Sequence, residues 1–454
     1  MLQCANQIKS DSFNPDKVLI DHQIVSGVGF VSSVYRNLQN IVVRIQGTTD
    51  YAVMLNCHFD SRPGSPGAND DIANCCIIME ILRVLSKSKV QQRHSIIFLF
   101  NGSEEEDLQG SHGFVTQHKW AKDVKAFINL EGSGSGGREA LFHTGPKHDW
   151  LVQKYRQSAK YPFGFTFGEE LFESGVIPSG TDFQIFHDDG NIPGLDFAHT
   201  AEGWHYHTHF DDIKYLNQDF LQQTGVNIIE LTKTIANSDE LENPPEGSYT
   251  IFFDYIGLFF ISYTKTTGII INIVVSLLAI IIPFLFQTKF KFTNYQIVII
   301  ETLSSFATII LSSILSMAAC FIMAVIMNAL DKTMTYYNVT FLAIGIYCSL
   351  AIGVQIGVHH VITCLWQRFY NKKERKNNRS DRDTLQNHLN GINLFWAVIT
   401  LAITATGYRS GYFTMVILFI SLCTNILMHL CCHFMPQTSK NTKKASRLNP
   451  TYVS

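Results

Sequence analysis

YAVMLNCHFDS, residues 51–61, decides how this chain folds. Residues 51–57 are an apolar run of strand length, and the polar residues His58, Asp60 and Ser61 follow at once. Such an uninterrupted run reads as a strand buried on both faces, the signature of a parallel sheet. The pattern recurs downstream: residues 95–101 (SIIFLFN) end just before Glu104, Glu105 and Glu106, and residues 126–130 (AFINL) end at Glu131. Between the first two runs, Ile77, Ile78, Ile81, Leu82 and Leu85 recur at helical spacing. Strand, helix, strand in alternation predicts an α/β fold, and in open α/β sheets the ligand site lies beyond the carboxyl ends of the strands.

Five residues of metal-ligand type occupy such positions: His58, Asp70 in PGANDD, Glu105 in GSEEED, Glu131 in INLEGS and His207 in HYHTHFDD. Three carboxylates and two imidazoles suit two zinc ions, which take nitrogen and oxygen ligands and leave a position for water. With one carboxylate shared, each ion receives three protein ligands. Each piece alone has a plainer reading. An acidic run is ordinarily solvated, Asp70 and Asp71 after Pro-Gly-Ala make a turn or a helix start, and His205, His207 and His209 could line one strand face. Their conjunction in order at successive strand ends favours the metal site.

The motifs resemble those of the co-catalytic zinc exopeptidases, whose pattern is HxDS, GAxDD, EExxLxGS, an acidic residue after a strand, and HTxxD. Here it stands as His58 to Ser61, Gly67 to Asp71, Glu104 to Ser111, Glu131, and His207 to Asp211, within roughly residues 20–240. The resemblance implies an α/β/α sandwich on a mixed central sheet. It implies one zinc on His58, Asp70 and Glu131 and another on Asp70, Glu105 and His207, with Asp70 bridging. Glu104 becomes the general base and Asp60 the residue orienting His58. The run of three glutamates leaves a one-residue slip open, which Leu108, Gly110 and Ser111 argue against. Asp107 stands where many members carry glycine. Ser179, Gly180, Thr181, Asp182 and Phe183 resemble a substrate-pocket stretch, Ser179, Thr181 and Asp182 being its polar members, though the same residues read equally as a helix N-cap. If Asp70 and His58 share metal, Cys57 and Cys75 are brought close enough for a disulfide, with two buried thiols, or pairing of Cys75's neighbour Cys76, as the alternatives.

The second half is apolar. Stretches near 268–286, 302–327, 338–366, 392–408 and 411–435 have the length and composition of membrane helices, so an all-α region of about five spans is expected over 268–435. The soluble domain is expected at 1–245, a linker at the membrane interface at 246–267, and basic segments at 367–391 and 436–454. Lysine and arginine excess places those basic segments in the cytosol and the catalytic domain on the lumenal side, the resemblance implying the endoplasmic reticulum membrane. Residues 1–50 hold no apolar run of the signal-peptide kind, while members of the family with membrane tails begin with a span, so the expectation is of a chain short of its N-terminal anchor. Of the three sequons, Asn101 beside the zinc site and Asn378 on the cytosolic side are expected to stay bare, while Asn338 is expected on the lumenal side at the membrane edge, where glycosylation is often blocked; a glycoprotein is expected. A net charge of −3 gives no nucleic-acid footprint, and at least half of the 10 cysteines fall in the apolar stretches. The expected partners are peptide substrates and the lipid bilayer, the expected function that of a membrane-bound zinc exopeptidase acting as an aminopeptidase. The alternative is a catalytically silent membrane scaffold that retains the fold.

Overall fold

The computed structural model describes residues 1–29, 33–145, 147–290, 295–337, 339–370 and 381–434. The tail at 436–454, the centre of the basic loop at 371–380 and the sequon residues Asn338 and Asn378 lie outside them. Two compact units emerge, one of Met1–Ile270 with Met327–Gly345 and Gly407–Ser410, the other of Ile271–Ile326, Ile346–Thr406 and Gly411–Ser454.

In the first unit, helix α1 (Leu2–Ser10) leads into β1 (Val18–Val28), β2 (Val34–Ile45) and β3 (Thr49–His58), then α2 (Asn74–Ser86), β4 (His94–Asn101) and α3 (Gln109–Gln117). β5 (Val124–Gly132), β6 (Ala140–His143), α4 (Asp149–Ser158), α5 (Thr166–Glu173), the single turn α6 (Asp182–Gln184), β7 (Gly194–His199) and α7 (Gln218–Ala236) follow. The 7-stranded sheet has the order β1-β2-β4-β3-β5-β7-β6. β3 pairs in parallel with β4 and β5, and β5 with β7, while β1, β2 and β6 are antiparallel to their neighbours. The sheet is therefore mixed, with its three predicted strands at the centre. Strand β3 lies between β4 and β5, so the chain reverses its winding there, and a crevice opens at the strand ends.

Alternate residues feed two cores. Val53, Leu55 and Cys57 with Phe98, Phe100 and Ile128 point to the face covered by α2, α4 and α7. Met54, Ile97, Leu99 and Phe127 point to the other, against Phe114 of α3 and Phe183 and Phe186. This period of two is why the strands read as apolar on every residue. Helix α2 buries the predicted Ile77, Ile78, Ile81, Leu82 and Leu85; truncating Leu82, which is fully buried, to alanine should cost about 2–5 kcal/mol. Helix α7 is started by Asn217, whose side chain accepts from the Asp219 backbone N–H at 2.9 Å.

The linker expected over 246–267 needs correction. It folds as a hairpin of β8 (Thr250–Tyr255) and β9 (Phe259–Thr264), and Phe252 and Phe260 join the main core, because apolar strand faces next to a core are cheaper to bury than to expose.

The second unit is helical: α8 (Lys265–Phe290), which begins in the first unit, α9 (Tyr295–Ala329), the short α10 (Thr340–Ala343), α11 (Ser349–Tyr370), α12 (Asp381–Thr406) and α13 (Gly411–Phe434). Among the described residues, five stretches are long and apolar enough to cross a membrane: Lys265–Pro283, Val298–Ala329, Phe341–Leu365, Gln386–Thr406 and Gly411–Met428. The loop expected over 367–391 is helical at both described ends, since α12 starts at Asp381. Leu385, Leu389, Ile392 and Phe395 supply the helical spacing there. Between α12 and α13, Gln386 bonds to Asn425 at 2.6 Å and Thr400 to Thr414 at 3.1 Å, pairing polar groups that lipid could not satisfy.

Candidate metal centre

His58 is the last residue of β3 and lies opposite Asn101, the last of β4. Its Nδ1 is 3.1 Å from the Asp60 carbonyl oxygen, which can only accept, so Nδ1 carries the hydrogen and Nε2 is left as a lone pair. That Nε2 lies 3.3 Å from Asp70 Oδ1 and 3.6 Å from Glu131 Oε2. On the other side of Asp70, His207 Nε2 lies 3.1 Å from Oδ2 and 3.0 Å from Glu105 Oε2. The two oxygens of Asp70 thus face two clusters, His58 with Glu131 and His207 with Glu105.

Both imidazole Nε2 atoms are buried without a hydrogen-bond partner among the described residues. In each cluster a ring nitrogen meets only carboxylate oxygens, and the ligand atoms lie within 4.8 Å of one another. Acceptors converging on acceptors in a buried site call for a cation, and two nitrogens with three carboxylates suit zinc. A third group, Cys57, Asp71 and Cys75, is different because donors satisfy it. Asp71 accepts from the His58 backbone N–H at 3.2 Å and from the Asn74 amide, and the Cys75 thiol donates to the His58 carbonyl at 3.1 Å. Cys57 and Cys75 face each other with their sulfurs 2.7 Å apart and no bond between them.

Among the three glutamates, position separates the roles. Glu105 reaches His207, while Glu104 is buried with Oε2 4.0 Å from His58 Nε2. The Glu106 side chain is 64% exposed and reaches only Arg62. Burial, with the Glu131 carboxylate beside it, pushes the Glu104 carboxyl well above the usual range. The Asp60 carboxylate does more than was expected of it. It accepts the backbone N–H groups of Glu104 at 3.1 Å and Glu105 at 3.2 Å, and stands 3.5 Å from His58 Nδ1. Burial opposes its charge, yet His58 and those two N–H groups keep its pKa below the ordinary value. Asp107 has φ of +68°, a left-handed conformation that explains why glycine serves well there and why aspartate is tolerated.

The loop carrying Asp70 is set by close approach. Gly67 has φ of +66°, and a Cβ on Gly132 would come within 2.3 Å of the Asn69 carbonyl oxygen, so β5 and this loop touch backbone to backbone. Asp211, from the HTxxD stretch, accepts from the backbone N–H groups of Asn69 at 2.8 Å and Asp70 at 3.1 Å.

A cavity of about 870 Å³ opens beside the clusters, walled in part by Ser179, Gly180 and Thr181. Thr181, which lines this cavity, is also the N-cap of α6, accepting from the Phe183 backbone N–H at 3.2 Å. Asp182, expected on the pocket wall, is instead buried beneath it, where the amides of Asn56 and Asn101 donate to it at 2.9 and 2.6 Å. Asn101 is fully buried with its amide engaged. Sequence reasoning missed this polar layer, in which Asn129 also donates to Asp196 at 2.9 Å and to Glu131 at 3.2 Å. Asparagines inside otherwise apolar strands are its only trace in the sequence. Tyr206 was missed too; it stacks on His207 and lines the cavity, and burial keeps its hydroxyl protonated.

Residues 40–232 match the family model described as peptidase family M28. The chain is 39% identical over 376 residues to endoplasmic reticulum metallopeptidase 1 of Homo sapiens, covering 80% of this chain and 41% of the human protein. To the protein of the same name in Mus musculus it is 37% identical over 383 residues, covering 82% of this chain and 42% of the mouse protein. The chain therefore spans less than half the length of these relatives. The LapA aminopeptidase of Legionella pneumophila superposes with a TM-score of 0.41 at 18% identity, over 52% of this chain and 64% of that one. The segment at residues 40–232, which carries both ligand clusters, is thus similar to peptidase family M28.

Proposed function

We propose that this chain is a membrane-bound, zinc-dependent aminopeptidase with two ions per site. The observation that carries the reading is Asp70, whose two oxygens face two separate clusters, each made of a carboxylate and an imidazole whose buried Nε2 has no hydrogen-bond partner among the described residues. His58, Asp70 and Glu131 would hold one ion, and Asp70, Glu105 and His207 the other. Zinc bound there would supply Lewis acidity and lower the pKa of a water. Glu104, buried with Oε2 4.0 Å from His58 Nε2, would take the proton of the attacking water and pass it to the leaving amine. Asp60 keeps the Glu104 and Glu105 backbone in place while that proton moves.

Preference for an amino terminus is supported by charge. Outside the two clusters the cavity wall still carries Asp107 and Asp188, while the Arg62 guanidinium is paired with Glu105 at 3.2 Å, which favours a free ammonium over a free carboxylate. Ser179 and Thr181 are proposed to contact substrate, with Asp182 supporting them from below.

The relatives are named endoplasmic reticulum metallopeptidases, and we extend that compartment to this chain, with the domain at 1–245 in the lumen. Met327–Gly345 and Gly407–Ser410 belong to the same compact unit as the peptidase domain, which supports placing the loops after the second and fourth spans on its side. The basic segments then face the cytosol. In an oxidising lumen Cys57 and Cys75 would close to a disulfide. A terminus-resolved peptide-library digest by the zinc-loaded chain, with and without chelator, tests the reading. Loss of single residues from the amino end that stops on chelation is expected. No chelator-sensitive hydrolysis would leave only a silent scaffold.

A further inference from the structure

Helix α5 stacks acid on acid. Glu169, Glu170 and Glu173 lie on neighbouring turns of an eight-residue helix whose N-cap residue, Phe165, supplies no side-chain hydrogen bond. A helix so short is not stable by itself, and clustered carboxylates make it less so. Glu169 is fully buried, and burial pushes its carboxyl above the usual range. One residue answers all three acids. Arg409, 240 residues along the chain from Glu169 and on the tetrapeptide Gly407–Ser410 that joins α12 to α13, has a side chain only 3% exposed. Its Nη1 donates to Glu169 Oε2 at 2.7 Å and to the Thr250 carbonyl at 3.3 Å, and its Nη2 to Glu173 Oε2 at 2.9 Å. Its Nε lies 3.7 Å from Glu170, which also accepts the backbone N–H groups of Arg409 and Ser410. The guanidinium lies 5.3 Å from the Tyr249 ring centre.

This cluster is continuous with the cavity wall. Glu173 and Phe172 line the cavity, Phe172 packs on Phe142 at 5.0 Å between ring centres, and residues 175–181 carry the wall onward. The other end of Glu169 accepts from Thr144 N–H at 3.0 Å and Thr144 Oγ1 at 2.8 Å, beside the wall residues His143 and Gly145. Removing the guanidinium leaves a carboxylate in the interior with no counter-charge, which breaks a buried pair rather than a surface one. Lysine cannot substitute, since it lacks the planar fork that serves Glu169 and Glu173 at once.

We propose that Arg409 is a positioning residue for substrate binding: the loop between the fourth and fifth apolar helices supplies the counter-ion that holds α5 and the following wall of the peptide pocket in place. The inference rests on reading that cavity as the peptide pocket, and it makes the pocket dependent on a residue outside the M28-like segment.

Hydrogen exchange on the full chain tests it without requiring turnover. Arg409→Gln should raise exchange across 166–181 by roughly two to three orders of magnitude, the scale of a broken buried pair, while 51–58 and 124–132 keep their protection. Adding Glu169→Gln, which removes the stranded charge, should restore most of the protection. With peptide substrate, KM should rise while kcat and zinc content hold. Unchanged exchange at 166–181, a rise spread evenly over the domain, or no recovery on adding Glu169→Gln would overturn the proposal. A wild-type chain that hydrolyses no peptide would defeat the functional reading alone, because the exchange result still decides the role of Arg409.

Discussion

Replacing Asp211 with asparagine isolates how the protein holds Asp70, the carboxylate proposed to bridge two ions. Asp211 touches no ion in the proposed scheme, but its two oxygens accept the backbone N–H groups of Asn69 and Asp70, at 2.8 and 3.1 Å, from a side chain sealed from water. The Ala68 backbone N–H bonds to the Asp211 carbonyl and survives any side-chain change. Asparagine keeps the shape, retains one acceptor and turns an amide N–H toward a backbone N–H. Losing one charge-assisted bond of this kind costs about 2 kcal/mol, or about thirtyfold in an equilibrium constant. Because the strain falls on the segment carrying Asp70, the loss should appear in zinc affinity, within the ~10–100-fold usual for residues supporting metal ligands. Competition against a chelator of known affinity, read by calorimetry, measures it, and Asp212→Asn is the control because Asp212 caps only the turn at Ile213–Tyr215. Wild-type zinc affinity in a folded Asp211→Asn chain would refute the idea that this carboxylate positions Asp70.

Three further outcomes follow from the same geometry. Glu104→Gln should retain zinc and lose hydrolysis by about two to four orders of magnitude, whereas Glu106→Gln should change turnover little; the reverse pattern in a steady-state assay would move the base by two residues. Glu139 is buried with one oxygen lacking a partner, and burial pushes its carboxyl up to about 8. The folded state therefore holds a proton that the unfolded chain releases near the ordinary carboxyl pKa of about 4.5, so stability from this group is whole below that pH and is lost as pH rises to about 8. Glu139→Gln should raise the melting temperature at pH 8, by up to about 4 kcal/mol in stability, and do almost nothing at pH 4.5; equal effects at both would remove Glu139 as the cause. With a signal sequence placed ahead of the chain, a sequon engineered into 367–391 should stay unglycosylated; a glycan there, read as an endoglycosidase-sensitive mobility shift, would reverse the orientation inferred from charge.

The sequence by itself determined the α/β class, the central strands and the membrane helices. The apolar runs at 51–57 and 95–101 are continuous because both faces of β3 and β4 are buried, and that local pattern needs no tertiary information to read. It also determined which residues meet at the site, since HxDS, GAxDD and the glutamate run each close a strand or follow one. Only the tertiary structure decided their division of labour. Glu104, Glu105 and Glu106 are adjacent and chemically alike, and burial and distance to His58 or His207 separate them. The same holds for Asp182, which pattern put on the pocket wall and packing put beneath it, and for the 246–267 segment, where a hairpin stands in place of a linker. Arg409 lies furthest from any sequence reading. A lone arginine between two apolar helices reads as a loop charge, and only a contact across 240 residues reveals it as the counter-ion of α5, because pairing at that separation leaves no periodic trace in either segment.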